Sequence, residues 1–262
     1  MMSDHGRMHA PGPDVADEMA PSESIGPGQA APAHGHRRVT SFRARRSTIS
    51  DRQQAIWDER WPQLGTEARH GESPAPRLDT DAWFGRQAPL ILEIGCGTGT
   101  STLAMAQAEP DLDVVAVEVY RRGLAQLLSA IDRAGVTNIR LVRGDGVDVL
   151  THMVGPDSLT GVRVFFPDPW PKARHHKRRL LQADTMALIA DRLRPGGVLH
   201  AATDHLGYAE HIAEVGDAEP RLRRIDRDTA ELPISVARPV TKYERKALAG
   251  PIVTELLWER IP

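Results

Sequence analysis

Leu90-Ile91-Leu92-Glu93-Ile94-Gly95-Cys96-Gly97-Thr98-Gly99-Thr100 is the stretch that decides the fold. A short apolar run ending in glycines reads as a buried strand. Glycine at the turn admits positive φ and lets the backbone approach a ligand closely. The dinucleotide fingerprint G-x-G-x-x-G keeps a third glycine where helix and strand pack. Here the spacing is G-x-G-x-G, and Thr100 stands at that last position. Glu93, two residues before the first glycine, would repel a pyrophosphate but attract an ammonium group. The loop therefore points away from a nicotinamide dinucleotide and toward a ligand with an amino-acid end.

Outward from this loop the pattern alternates. Helices are expected at 100–108, 121–134, 147–154, 178–193 and 206–215, and strands at Val114–Val119, Ile139–Val142, Val162–Phe166 and Val198–Ala202. Strands alternating with helices predict an α/β fold, a mostly parallel, doubly wound Rossmann-like sheet. The apolar end Ile252–Trp258 fits a late antiparallel strand. Open sheets of this kind bind ligands at the carboxyl ends of their strands. Acids stand at those ends. Glu118 closes the second strand, where a carboxylate accepts from ribose hydroxyls of any adenosine ligand. Asp145 follows the third strand, placed to accept from an adenine amino group or to cap the next helix. Glu93, Glu118 and Asp145 together are far more specific than any one of them.

The fourth strand runs into Phe165-Phe166-Pro167-Asp168-Pro169-Trp170-Pro171-Lys172-Ala173-Arg174-His175-His176-Lys177-Arg178-Arg179. Prolines fix φ and remove donors, so Asp168 sits on a stiff loop. The cations after it form either a solvated face or a track for phosphates. Trp170 either stacks on a flat base or packs the loop against the core. Asp204 follows the fifth strand, as a crevice acid or a helix cap.

Composition bounds the rest. The 262 residues are 40% hydrophobic and 26% charged, as in an ordinary soluble globular protein. Net charge is −2, so only local clustering hints at a nucleic-acid partner. The single cysteine, Cys96, excludes an internal disulfide framework and fits a reducing compartment. No apolar run approaches the ~20 residues that span a bilayer, and the N-terminus has no signal-peptide core. A cytoplasmic protein is expected. Residues 1–36, rich in Gly, Pro and Ala, read as a disordered tail. Residues 37–88 read as a basic arm and connector, with five arginines between Arg37 and Arg46 and a short helix around 50–60. Residues 89–262 are expected to form the main α/β domain. No metal is expected: the spacing of His5, His9, His34 and His36 matches no closed site, and the adjacent His175 and His176 rarely point the same way. The oligomeric state is left open.

With the glycine loop, the strand-end acids and the Asp-Pro-Trp loop placed, the chain resembles the bacterial tRNA (guanine-N7-)-methyltransferase family, over roughly 90–262. The most specific pieces are Phe166–His175 with Lys177-Arg178-Arg179, then Ala202-Thr203-Asp204, then Arg238-Pro239-Val240-Thr241-Lys242-Tyr243-Glu244. The resemblance implies a class I methyltransferase fold. It implies S-adenosylmethionine as methyl donor and a guanine in the tRNA variable loop as acceptor. It assigns Glu93, Glu118, Asp145 and Asp168 to the cofactor, beside the glycines Gly95, Gly97 and Gly99, and Asp168 also to catalysis. It assigns Lys172, Asp204, Thr241, Lys242, Tyr243 and Glu244 to the substrate. The segment before residue 37 looks peculiar to this chain, and Pro171 precedes the lysine.

Guanine N7 has an in-plane lone pair and no proton at neutral pH, so Asp168 is cast as orienter and electrostatic stabiliser rather than base. Three other readings compete. Amino-methyltransferases carry a D/N-P-P-Y/W motif at the same strand, but here one proline separates Asp168 from the aromatic. A non-catalytic RNA-binding protein would not need all three acids. An oxidoreductase is opposed by Thr100 and Glu93.

Overall fold

The computed structural model describes residues 48–228, 231–239 and 252–262. The expected tail, the arginine-rich stretch Arg37–Arg46 and the run Thr241–Glu244 lie outside these residues. Helix α1 (Asp51–Leu64) opens with a capping box in which Gln53 N donates to Ser50 Oγ at 3.3 Å and Ser50 N to Gln53 Oε1 at 3.1 Å. The connector after it has structure of its own: β1 (Gly65–Glu67), a hairpin of β2 (Arg69–His70) and β3 (Ser73–Pro74), and α2 (Thr80–Phe84).

From residue 90 the alternation read from the sequence is present. The elements are β4 (Leu90–Ile94), α3 (Thr100–Ala108), β5 (Asp113–Glu118), α4 (Arg121–Ala134) and β6 (Ile139–Arg143). A short α5 (Gly146–Asp148) then runs into a π-helical turn at Val149–Met153. After it come β7 (Leu159–Phe165), α6 (Ala183–Arg192), β8 (Leu193–Thr203), α7 (Leu206–Ala218), β9 (Leu222–Arg224) and β10 (Thr254–Arg260). Strand order is β1-β6-β5-β4-β7-β8-β10-β9. Every ladder of this sheet is parallel except those of β10, which runs antiparallel to β8 and β9. The expected late antiparallel strand is therefore there, while β1 and β9, three residues each, carried too little periodicity to be read.

Side chains alternate between two cores. Leu90, Leu92 and Ile94 join Val162, Val164 and residues of α6 and α7 on one face. Ile91, Val114 and Ala116 join α4 on the other. Leu124, Leu127, Leu128 and Ile131 supply the stripe of α4, each at most 1% exposed. Burying each such side chain contributes about 1.5–3 kcal/mol. Two expected boundaries miss by five residues: the strand read from Val198 begins at Leu193, running through Pro195-Gly196-Gly197, and a helix starts late. The helix read at 178–193 starts only at Ala183, because Ala173–Arg178 is a 3₁₀ turn and Leu180 and Leu181 are buried between the two.

The chain moves from β4 outward through β5 and β6, and to the other side through β7 and β8. The order reverses between β4 and β7, and a crevice opens at such a switch point.

Candidate active site

A cavity of about 310 Å³ lies at that reversal. Its lining comes from four successive strand ends: Ile94, Gly95 and Gly97 after β4, Glu118 to Tyr120 after β5, Gly144 to Gly146 after β6, and Phe165 to Asp168 after β7. Of the predicted site residues, Gly95, Gly97, Glu118, Asp145 and Asp168 are brought together here.

Each acid is held differently. The Glu118 carboxylate accepts from Gly97 N at 2.9 Å, Val119 N at 2.7 Å and Tyr120 N at 3.0 Å, so it pins the glycine loop to the end of β5. Asp145 Oδ1 accepts from Val147 N at 3.0 Å, so Asp145 does cap α5 while lining the crevice. Asp168 is half-buried and makes no hydrogen bond or ion pair with a described residue.

Glu93 is not in the lining. It is 2% exposed, and its Oε1 accepts from Thr102 Oγ1 of α3 at 3.0 Å, while its Oε2 has no hydrogen-bond partner. Burial pushes its pKa up to about 7, against the opposing pull of the Arg163 charge and the Thr102 hydroxyl. Arg163 is its register partner on β7, and His200 is Arg163's on β8. The three form a buried polar row across the α4 side of the sheet. Arg163 donates to Glu109 Oε2 at 2.6 Å and to Ser235 O at 3.1 Å, and His200 Nε2 lies 3.0 Å from Glu255 Oε2. This row was not read from the sequence. Arg163 and His200 each interrupt an apolar run at alternate positions, and that was the available signal.

The glycines divide their work. Gly97, at φ +57, faces open space at the crevice. Gly99, at φ +74, is not in the lining: a Cβ there would stand 2.4 Å from Leu127 Cδ1. Gly99 thus does the close-packing job that the fingerprint gives to the position of Thr100.

Around Asp168 the backbone is strained at both ends. Phe166 has φ +51 and Trp170 φ +44, a region costing a non-glycine residue about 1–3 kcal/mol. Phe166 N donates to Ala202 O at 2.8 Å, and its ring lines the crevice under the Arg238 guanidinium at 4.9 Å. Trp170 is 4% exposed, with Arg178 over its ring at 3.9 Å and His175 edge-on at 5.8 Å. Trp170 therefore packs the loop against the core, and the aromatic residues lining the crevice are Tyr120, Phe165 and Phe166.

The basic track also divides. Lys172, Arg174 and Lys177 are exposed, but Arg178 covers Trp170 and Arg179 is buried. Lys172 is the N-cap residue of the 3₁₀ turn, outside the lining. Asp204 is half-buried directly after β8. The cap of α7 is His205, whose Nδ1 accepts from Tyr208 N at 3.2 Å, so Asp204 is not the cap. Thr241, Lys242, Tyr243 and Glu244 fall outside the described residues. Among the described residues no helix is long and apolar enough to cross a membrane. No group of three or more His, Cys, Asp or Glu among them could hold a metal ion.

Comparison with known proteins adds the family. The family model described as "Putative methyltransferase" matches residues 87–251. A tRNA (guanine-N(7)-)-methyltransferase of Mycolicibacterium gilvum (strain PYR-GCK) is 77% identical, covering 100% of both chains. One of Mycolicibacterium vanbaalenii is 76% identical over 99% of each chain, and one of Mycobacterium sp. (strain KMS) 69% identical over 100% of each. The segment before residue 37, expected to be peculiar to this chain, lies within those full-length matches. A crevice lined by strand-end acids at the switch point of a parallel sheet, and relatives of this identity along the whole chain, agree: the chain belongs to the tRNA (guanine-N(7)-)-methyltransferase family.

Proposed function

We propose that this protein transfers a methyl group from S-adenosylmethionine to N7 of a guanine in the variable loop of tRNA. The observation that carries the reading is the convergence of Glu118, Asp145 and Asp168 on one crevice. The residues fit the donor. Glu118, pinned by three backbone N–H groups, is held for ribose hydroxyls, and Asp145 for the adenine amino group. Glu93 offers a buried acceptor, Oε2, that lacks a partner, which suits the ammonium of an amino-acid end. Gly95 and Gly97 give close backbone approach; Gly99 acts behind them by packing α3 on α4.

S-adenosylmethionine supplies an electrophilic methyl group on a sulfonium. What the protein must add is alignment, because N7 has a lone pair in the ring plane and no proton to remove. Asp168 does this on a loop strained at both ends and held by Phe166 and Trp170. Its carboxylate accepts from guanine N1–H and the exocyclic amine, orienting the ring, and it stabilises the positive charge that develops on methylation. Exposed Lys172, Arg174 and Lys177 meet phosphates, giving affinity without sequence readout. Asp204 and the run Thr241–Glu244 complete the substrate side. A tRNA substrate puts the reaction in the cytoplasm.

The test is methyl transfer from labelled S-adenosylmethionine to tRNA carrying guanine or 7-deazaguanine at the variable-loop site. Labelling of the first and not the second is expected. Equal labelling of both would overturn the N7 assignment.

A further inference from the structure

Arg179 ends the cationic run, yet it does not face solvent. It is 5% exposed. Its Nε donates to Pro169 O at 3.0 Å and its Nη1 to Gly207 O at 3.3 Å, while Nη2 lies 3.1 Å from His176 Nε2. The guanidinium plane covers the ring of Tyr208 at 4.8 Å, and Tyr208 is itself fully buried, its hydroxyl accepting from Leu181 N at 3.1 Å. No ion pair among the described residues includes Arg179. A buried charge without a carboxylate partner is expensive to keep. What it holds is specific. Pro169 follows Asp168 directly, and Gly207 lies in the first turn of α7, three residues after Asp204.

We propose that Arg179 is a positioning residue for methyl transfer: it ties the backbone that carries Asp168 to the helix that begins beside Asp204. The inference rests on the reading of the Asp168 loop as the reacting loop. The planar fork suits this task, because two carbonyls on different elements are reached at once by fixed donors. A lysine ammonium would reach one of them, without the planar contact to Tyr208. Asp168, read as gripping the base, and Asp204, read on the substrate side, are thereby held at a set separation. A small misplacement at such a site costs turnover rather than affinity. This separates Arg179 from its neighbours. Loss of a phosphate contact raises KM for tRNA and flattens the salt dependence, whereas loss of a positioning residue acts on kcat.

The experiment is steady-state methylation of tRNA across a range of salt concentrations, with the full chain and its variants R179K, K177A, H176A and D168A. R179K is expected to lower kcat by about tenfold to a hundredfold, with KM for tRNA within about twofold and an unchanged salt slope. K177A is expected to raise KM and reduce the salt slope by about one. A rise in KM with intact kcat for R179K, or wild-type kinetics, would overturn the proposal and return Arg179 to the phosphate track. H176A removes one partner of the guanidinium at a half-exposed position, so it decides the matter if R179K does not fold. A kcat loss of about twofold to fivefold at constant KM supports the proposal, and an unchanged kcat overturns it. D168A separates the two failures. If it turns over normally, the reading of the site itself is wrong. If it is impaired while R179K is not, only the role of Arg179 falls.

Discussion

Glu93→Gln should make the protein more stable at neutral and basic pH while weakening its hold on the methyl donor. Burial raises the Glu93 pKa from 4.5 to about 7. In the unfolded chain the carboxyl ionises near its ordinary value, so between the two pKa values the folded state holds a proton that the unfolded state has lost. Stability therefore falls as pH rises through this window, and the loss is complete above the folded pKa. At about 1.4 kcal/mol per pKa unit, the whole window corresponds to about 3 kcal/mol. Glutamine keeps an acceptor for Thr102 and does not titrate. The stability difference between E93Q and wild type should therefore grow by about 2 kcal/mol between about pH 5.5 and about pH 8. In a domain of this size that is a melting-temperature gap widening by about 4–8 °C. Other titrating groups cancel in the difference. Thermal melts of both proteins across this range, with and without S-adenosylmethionine, are the assay. Added donor should stabilise the wild type strongly and E93Q weakly, since the ammonium loses its anionic partner. A gap that stays constant from acid to base would refute the argument that Glu93 is buried with a raised pKa. An unchanged affinity would refute the proposed pairing of Glu93 with the donor's ammonium.

Four further outcomes follow from the same geometry. T102V removes the hydroxyl that lowers the Glu93 pKa, so the pH window of the wild type should move to higher pH in the same melts. Asp168→Asn should lower kcat by about a hundredfold or more while S-adenosylmethionine affinity, measured by calorimetry, changes little. G99A drives a methyl into Leu127 at positive φ and should cost about 1–3 kcal/mol or more in urea denaturation. R163M strands Glu109 and removes the charge that restrains Glu93, so it should destabilise by about 3 kcal/mol and raise the Glu93 transition.

What the sequence determined by itself was whatever depends on local periodicity and turn chemistry. The strand–glycine–helix unit at 90–108, the stripe of α4 and the acids at the strand ends could all be read because strands, helices and tight turns have short repeats. The same alternation implied the parallel sheet and so the crevice at its switch point. The tertiary structure decided what each side chain faces. It put Glu93 beneath the glycine loop in a polar row with Arg163 and His200, because parallel register brings together residues 70 and 37 positions apart. It gave the packing role of the fingerprint's last glycine to Gly99, since Leu127 approaches there and not at Thr100. It split one run of cations into exposed lysines and a buried Arg179, a distinction that composition cannot carry. A charge run looks the same in sequence whether its arginines meet water, a tryptophan or two backbone carbonyls. Only the folded chain sets the dielectric and the partners that separate them.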